Sequence, residues 1–263
     1  MASLVENNTK TNLLGVWVSR ESMQDVLARI EHEIHLNSKA VVGYANIHSL
    51  NLAFENPWLR DYYNQCAVVF CDGVAVKFAA KILGAALPHR LTLPDWIAQL
   101  AEQCATTDRT MFLLGGKDGA AQKAADKLMG QVPGLEIVGT HHGYFDKRKG
   151  GQANQTLVKH INRAAPDVLV VGFGIPLQER WILENKSDLQ VRVFLAAGAL
   201  FDYISGEMWR APRWMTDNGF EWLGRLVREP RRLWRRYLIG IPVFFARVLK
   251  QKLGLPSITE TKT

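Results

Sequence analysis

The sequence predicts an α/β protein built on a doubly wound, mainly parallel sheet. From about residue 38, short β-rich runs alternate with helical patterns, as repeated strand-helix units do. The runs themselves, such as "DVLVVGFG" (167–174), are apolar throughout instead of alternating, so helices must cover both faces of the sheet. Around residue 204 the strands stop and an Arg- and Trp-rich helical segment takes over.

In chain order, "AVVGYAN" (40–46) reads as a strand and "HSLNLAFENPWLRDYYNQC" (48–66) as a helix. "AVVFCDG" (67–73) is the next strand, followed by the helical "VAVKFAAKIL" (74–83) and "PDWIAQLAEQCAT" (94–106). Then come strand "TMFLLGG" (110–116), helix "DGAAQKAADKLMGQV" (118–132), short strand "LEIVGTH" (135–141) and helix "NQTLVKHINRAA" (154–165). Strand "DVLVVGFG", helix "LQERWILENK" (177–186) and strand "VRVFLAAG" (191–198) complete the core. A boundary near 200–210 divides an α/β core, 1–204, from a helical appendage, 205–263, in which Pro230 suits a first helical turn after Glu229. The terminal "PSITETKT" is expected to fray.

With 263 residues, about half of them apolar, the chain can bury a substantial core. Its net charge of +7 is localised, because residues 204–252 hold 11 Lys/Arg against 4 Asp/Glu, leaving 21 against 21 elsewhere. A basic excess confined to one region calls for an anionic partner there. Cys66, Cys71 and Cys104 lack metal-type spacing and fit core thiols in a reducing compartment. The opening "MASLVENNTKTN" has no signal-peptide pattern. The longest apolar run, "YLIGIPVFFA", is about half what a spanning helix needs and contains Gly240 and Pro242.

Several positions carry chemistry. Asp72 ends a buried strand just before Gly73, where open α/β sheets bind ligands. It can serve as a general base toward a hydroxyl or as the N-cap of the next helix. Asn46 ends the neighbouring run, and Gln178 and Glu179 enter a helix after a Gly-Pro loop. Each reads either as a contact to sugar hydroxyls or as ordinary helix-start chemistry. "FLLGGKDGAAQKAA" brings Gly115, Gly116 and Gly119 to the start of a helix, which suits a phosphate or a tight packing turn. A nicotinamide-dependent Rossmann oxidoreductase would need an acid at the end of the following strand, and "LEIVGTH" carries Glu136 only inside it. Arg90, on a loop, is a phosphate clamp or a surface residue. His141 and His142 lie near Asp146 without a third ligand at metal spacing and read as structural. The chain has no Asp-x-Asp, so charge on a departing diphosphate would fall to cationic side chains.

Assembled, "YANIHSLNLA", "CDGVAVKFAAKILG", "LPHR", "FLLGGKDGAAQKAA", "PGLEIVGTHHGYF", "PDVLVVGFGIPLQERWI", "GALFDYISGEMWRAPRWM" and "GFEWLGRLVREPRRLWRRY" resemble the WecG/TagA/CpsF glycosyltransferase family over nearly the whole chain. The resemblance implies a Rossmann-like fold and an inverting, metal-independent transfer without a cofactor. It implies a UDP-sugar as donor and a polyprenyl-diphosphate-linked sugar as acceptor, at the cytoplasmic face of the plasma membrane. It implies that Asp72 is the catalytic base, that Asn46 and Arg90 line the pocket, and that Asp95, after the Arg-containing motif, binds substrate. Gln178 and Glu179 match the family's Pro-x-Gln-Glu, and Arg232 and Arg236 match arginines of its C-terminal segment. Tyr44 stands where the family usually has Thr, and "TLPDW" lacks the Gly commonly found before the Asp. The donor therefore stays open among UDP-N-acetylmannosamine, its uronate and UDP-glucose, the last as in xanthan-type gum assembly.

In the tail, Leu233, Trp234, Tyr237, Leu238, Ile241, Phe244, Phe245 and Val248 follow spacings of three and four, with Arg231, Arg232, Arg235 and Arg236 at the flanks. This pattern predicts a peripheral helix lying on an anionic membrane surface, or a face packed on the core or on a second subunit. Homo-oligomerisation thus stays open. A non-catalytic membrane or nucleic-acid adaptor would use the tail alone, and nucleic acid is disfavoured because the basic residues share a helix with Leu, Ile and Phe.

Overall fold

The computed structural model describes residues 9–255, so the expected frayed end "PSITETKT" lies outside the described residues. A hairpin that the sequence pattern did not predict begins the fold: β1 (Lys10–Leu13) pairs antiparallel with β2 (Val16–Ser19). Leu14 and Gly15 close it at φ 54° and 88°, as a two-residue hairpin turn requires. Next comes α1 (Met23–Leu36), equally unpredicted, which buries Val26, Ile30 and Ile34 at four-residue spacing.

The predicted strands form as β3 (Ala40–Ala45), β4 (Val68–Cys71), β5 (Thr110–Gly115), β6 (Glu136–His141), β7 (Val168–Gly172) and β8 (Val193–Ala196). They make one six-stranded parallel sheet in the order β4-β3-β8-β7-β5-β6. Between them run α2 (Ile47–Glu55), α3 (Pro57–Asn64), α4 (Val74–Ile82), α5 (Leu93–Thr106), α6 (Ala120–Gln131), α7 (Gln152–Ala164) and α8 (Leu177–Asn185). The one long helix predicted over 48–66 is two, because Asn56 before Pro57 is held extended at φ −124°, ψ 100°, the conformation a following proline imposes.

Contacts divide the chain into two compact units: Met1–Ser22, Tyr44–Thr92 and Arg210–Thr263 form the first, Met23–Gly43 and Leu93–Trp209 the second. The sequence boundary near 200–210 is thus where the chain returns to the first unit. In the second unit β5, β7 and β8 are buried on both faces, which explains their unbroken apolarity. There Gly115 (φ +149°) lies so close to β7 that a built Cβ would stand 2.3 Å from the Gly172 carbonyl oxygen. A buried polar ring fixes α7 to α8: Trp181 Nε1 donates to Asn154 (2.6 Å), Asn154 to Asn185 (2.7 Å), and Asn185 to the Trp181 carbonyl (2.8 Å).

After α9 (Leu200–Ser205) in the second unit, the tail in the first unit comprises α10 (Arg213–Asp217), α11 (Glu221–Arg228), α12 (Pro230–Trp234), a π-helical turn (Arg235–Ile239) and α13 (Gly240–Lys252). Pro230 occupies a first helical turn, as predicted. Pro242 has no N–H and crowds the carbonyl four residues back, and the turn just before it is widened, with the Gly240 N–H bonded to the Arg235 carbonyl. The single apolar face predicted for the tail divides in two. Leu233, Tyr237, Phe244 and Val248 are buried within the first unit, whereas Trp234 and Leu238 are exposed.

Asn154→Ala should leave Trp181 Nε1 and one Asn185 amide group buried without partners, costing about 2–3 kcal/mol. A fall in the denaturant midpoint with an unchanged slope is the expected result.

Candidate active site

In the first unit, β3 and β4 end in Asn46 and Asp72. The Asp72 N–H donates to the Ala45 carbonyl (2.9 Å), tying the two strand ends together. Asn46 caps α2: its Oδ1 accepts from the Ser49 N–H (3.0 Å), while Ser49 Oγ accepts from the Asn46 N–H (2.8 Å). With its oxygen so engaged, the Asn46 amide presents Nδ2 to Asp72 Oδ2 at 3.3 Å. On the other side Thr92 Oγ1 donates to Asp72 Oδ1 (3.1 Å) and accepts from Arg90 Nη1 (3.1 Å). Arg90 therefore acts on the carboxylate through a hydroxyl.

The capping alternative for Asp72 does not hold, because the N-cap of α4 is Gly73, at φ +116° and with no side-chain cap bond. Burial and then the Glu221 carboxylate push the Asp72 carboxyl up to about 6, against the pull of Asn46, Thr92 and Arg225. The neighbouring Cys71 thiol is pushed up to about 12, chiefly by burial, and stays protonated.

The tail supplies the surroundings. Gly219 (φ +78°) packs on Val74, with a built Cβ 3.4 Å from it, and so delivers Glu221 and Arg225, one turn apart on α11, to the Asp72 end of β4. Arg236 is half-buried. Burial, then Arg225, lower its proton affinity, while Tyr237, Tyr44 and Asp72 oppose them. His48, on the first turn of α2, is held down to about 4 by burial and the Arg236 charge, so its ring is neutral at neutral pH. Tyr44 is buried beside Phe70, ring centroids 5.9 Å apart. Arg232 lies elsewhere: it is exposed and paired with Glu229 at 2.5 Å.

The second unit carries a separate constellation at its own strand ends. Gly115, Gly116 and Gly119 all have positive φ, and Gly119 precedes α6 as an N-cap with no side chain. At Gly116 a built Cβ would meet Ala120 Cβ at 2.9 Å and Asp202 Oδ1 at 3.4 Å. Gln178 and Glu179 are fully buried, which excludes the solvated helix start. Gln178 Oε1 accepts from the Gly198 N–H (2.9 Å) and its Nε2 donates to Glu179 (2.8 Å). Asp95 is exposed in the first turn of α5. His141 and His142 stack with centroids 4.5 Å apart, and among the described residues no three His, Cys, Asp or Glu side chains are grouped to hold a metal.

Thr92, His48, Glu221 and Arg225 escaped the sequence reading. The one legible signal was the opposite-charge spacing of Glu221 and Arg225, which marks two groups sharing a helix face.

Residues 11–257 match the model of the glycosyl transferase WecG/TagA/CpsF family. Two N-acetylglucosaminyldiphosphoundecaprenol N-acetyl-beta-D-mannosaminyltransferases, from Staphylococcus aureus strains MRSA252 and MW2, are each 26% identical to the chain over 248 residues. Each match covers 94% of this chain and 94% of the relative. A match of this extent, carrying Asp72, Asn46 and the tail arginines within it, fixes the assignment: the chain belongs to the glycosyl transferase WecG/TagA/CpsF family.

Proposed function

We propose that the protein transfers a hexose from a UDP-sugar to a polyprenyl-diphosphate-linked sugar, with inversion, and that Asp72 is the base. The observation that carries this reading is a strand-end carboxylate that accepts hydrogen bonds from an amide and a hydroxyl, with a proton affinity close to neutral pH. A base of that strength is largely ionised at neutral pH yet still accepts a proton. In the single displacement, the acceptor oxygen bonds to the anomeric carbon from the face opposite UDP, its proton passes to Asp72, and the electron pair of the broken bond leaves on the diphosphate.

Arg225 and Arg236 offset negative charge as the leaving group departs, and each such group is worth a few kcal/mol, roughly 3, in a water-poor site. Arg236 is the better placed of the sequence-predicted pair, since Arg232 is spent on Glu229. The Gly115–Gly119 turn, ahead of the N-terminus of α6, is assigned to a phosphate. Gln178 and Glu179 are assigned to holding the shape of their strand-end loop through Gly198.

The tail is assigned to an anionic membrane surface as a peripheral contact on the inner face. Trp214, Phe220, Val227, Trp234, Leu238 and Ile239 are exposed, with Arg228, Arg231 and Arg235 exposed among them, the composition of an interfacial segment. Among the described residues no helix is long and apolar enough to cross a membrane.

A panel of UDP-sugars incubated with a GlcNAc-diphosphate lipid, with products weighed by mass spectrometry, identifies the donor; no product from any UDP-sugar would overturn the reading. Asp72→Asn should lower kcat on the order of 1,000-fold, and wild-type turnover should fall as pH drops below about 6. The same variant has a signed stability signature. Because the folded-state value lies above the ordinary 3.8, the folded protein binds this proton more tightly than the unfolded chain. That contribution is complete below about pH 4 and is lost as pH rises through about 6. The melting temperature of Asp72→Asn should therefore match the wild type near pH 4 and exceed it above about 6. Replacing Trp234 and Leu238 by Ser should weaken binding to phosphatidylglycerol vesicles by about tenfold or more while sparing turnover of a water-soluble acceptor.

A further inference from the structure

The distal helix of the tail does something that its basic, apolar composition does not announce. Arg247, in the middle of α13, sits mostly out of solvent, with 17% of its side chain exposed. Its Nη1 donates to the carbonyl oxygen of Asn51 (3.2 Å) and to Asn51 Oδ1 (3.0 Å), its Nη2 donates to Glu55 Oε1 (2.6 Å), and its guanidinium lies 4.5 Å from the centre of the Phe54 ring. Asn51 returns the grip, donating from Nδ2 to the Gly240 carbonyl at 2.8 Å. About two turns of α13, from Gly240 to Arg247, are thus fastened to α2 by one guanidinium and one amide.

That helix is the one whose cap residue, Asn46, holds Asp72. It is nine residues long, about 13 Å at 1.5 Å per residue, with Asn46 and His48 at one end and Asn51, Phe54 and Glu55 at the other. Gly240 directly follows the π turn that carries Arg236. One rigid element therefore connects the amide facing Asp72 with the anchor of the segment bearing Arg236. A second fastening, Gln251 to the Leu14 N–H (2.9 Å) and the Asn12 carbonyl (3.1 Å), keeps the far end of α13 on the hairpin. Phe244 and Val248 of the same helix are fully buried.

We infer that Arg247 is a positioning residue for transfer: by gripping α2 it sets the place of Arg236 relative to Asp72, and it does so in the protein free of membrane. The inference rests on the roles proposed above for Asp72 and Arg236, but the clamp itself is observable without them. A guanidinium that makes three hydrogen bonds in fixed directions and covers a ring is a geometric lock, which a lysine cannot reproduce. Small displacements matter to the reaction, since an error of about 1 Å in placing a catalytic group costs on the order of 100-fold.

The test uses the full chain as wild type, Arg247→Ala, Arg247→Lys, Glu55→Gln and Arg236→Ala, with two readouts. The first is hydrogen exchange without lipid. Wild-type amides of Phe244–Val248 should be protected, and phosphatidylglycerol vesicles should leave them unchanged. In Arg247→Ala, protection should fall over 235–252 while β4 stays protected, which separates a loosened tail from an unfolded protein. The second is transfer from the active UDP-sugar to GlcNAc-diphosphate on a short, water-soluble alkyl chain. Arg247→Ala and Arg247→Lys should lose kcat by about 10- to 100-fold with little change in donor KM, whereas Glu55→Gln, which keeps an acceptor for Nη2, should stay within about threefold. Rapid exchange of α13 in lipid-free wild type, or wild-type kcat in Arg247→Ala, would overturn the inference. Should Arg236→Ala turn over normally while Arg247→Ala still loosens 235–252, the arginine's role in transfer is what fails, and the clamp stands.

Discussion

The first unit is organised by a single side chain with two faces. Asn46 must spend its oxygen on the N-terminus of α2, where the Ser49 N–H would otherwise go unsatisfied. Its amide nitrogen then has one direction left, toward Asp72. A capping Asp or Ser would satisfy the helix equally well but would offer that carboxylate a second negative charge or a freely turning hydroxyl. Asn closes the helix with its oxygen and donates beyond it from a separate, fixed amide nitrogen. The position of Asp72, the start of α2 and, through α2, the seat of the tail all follow from that division.

The electrostatics around Asp72 show which effects win. Two neutral hydrogen bonds and the Arg225 charge favour the ionised form, yet burial and the Glu221 carboxylate outweigh them. The arginines compensate only in part because they are themselves under strain: Arg236 is partly desolvated and feels Arg225 as a like charge. Two carboxylates, Asp72 and Glu221, and two arginines, Arg225 and Arg236, thus face one another here, each group feeling a like charge as well as an opposite one. On the function proposed above, an incoming diphosphate would add negative charge beside Arg225 and Arg236, so the basic excess of the tail would serve the leaving group as well as a membrane surface.

Legibility in the sequence followed burial. β5, β7 and β8 were readable because both faces are covered, so their composition has one cause. The hairpin and α1 were not read: four-residue strands carry too little periodicity to count, and the hairpin turn places a leucine, not the usual Asn or Asp, at positive φ. Asp72 and Asn46 stood out because strand ends are where such sheets work, whereas Thr92, Glu221 and Arg225 reach Asp72 from segments far apart in the chain, a relation no local pattern records. The arginines are the instructive case. Arg232 and Arg236 are one helical turn apart and looked equivalent, but Glu229 lies three residues before the first, and the π turn changes the register at the second.

The same contrast separates Asp72 from two other well-held carboxylates. Asp146 is chelated by Arg148, which holds it down to about 2, and Asp167 pairs with Arg192 at 2.5 Å while accepting from the Thr110 N–H. Each is tied to a cation that would have to be displaced before the carboxylate could take a proton, so each is a brace. Asp72 is fixed just as firmly in space, but by an amide and a hydroxyl, which orient it without neutralising it. Orientation by neutral donors, with Arg90 acting through Thr92, is what allows one half-buried carboxylate to be both well oriented and basic. On the role proposed for Arg247, the clamp extends the same scheme, since it would hold the tail's positive charge near a leaving group while Asp72 keeps its neutral donors.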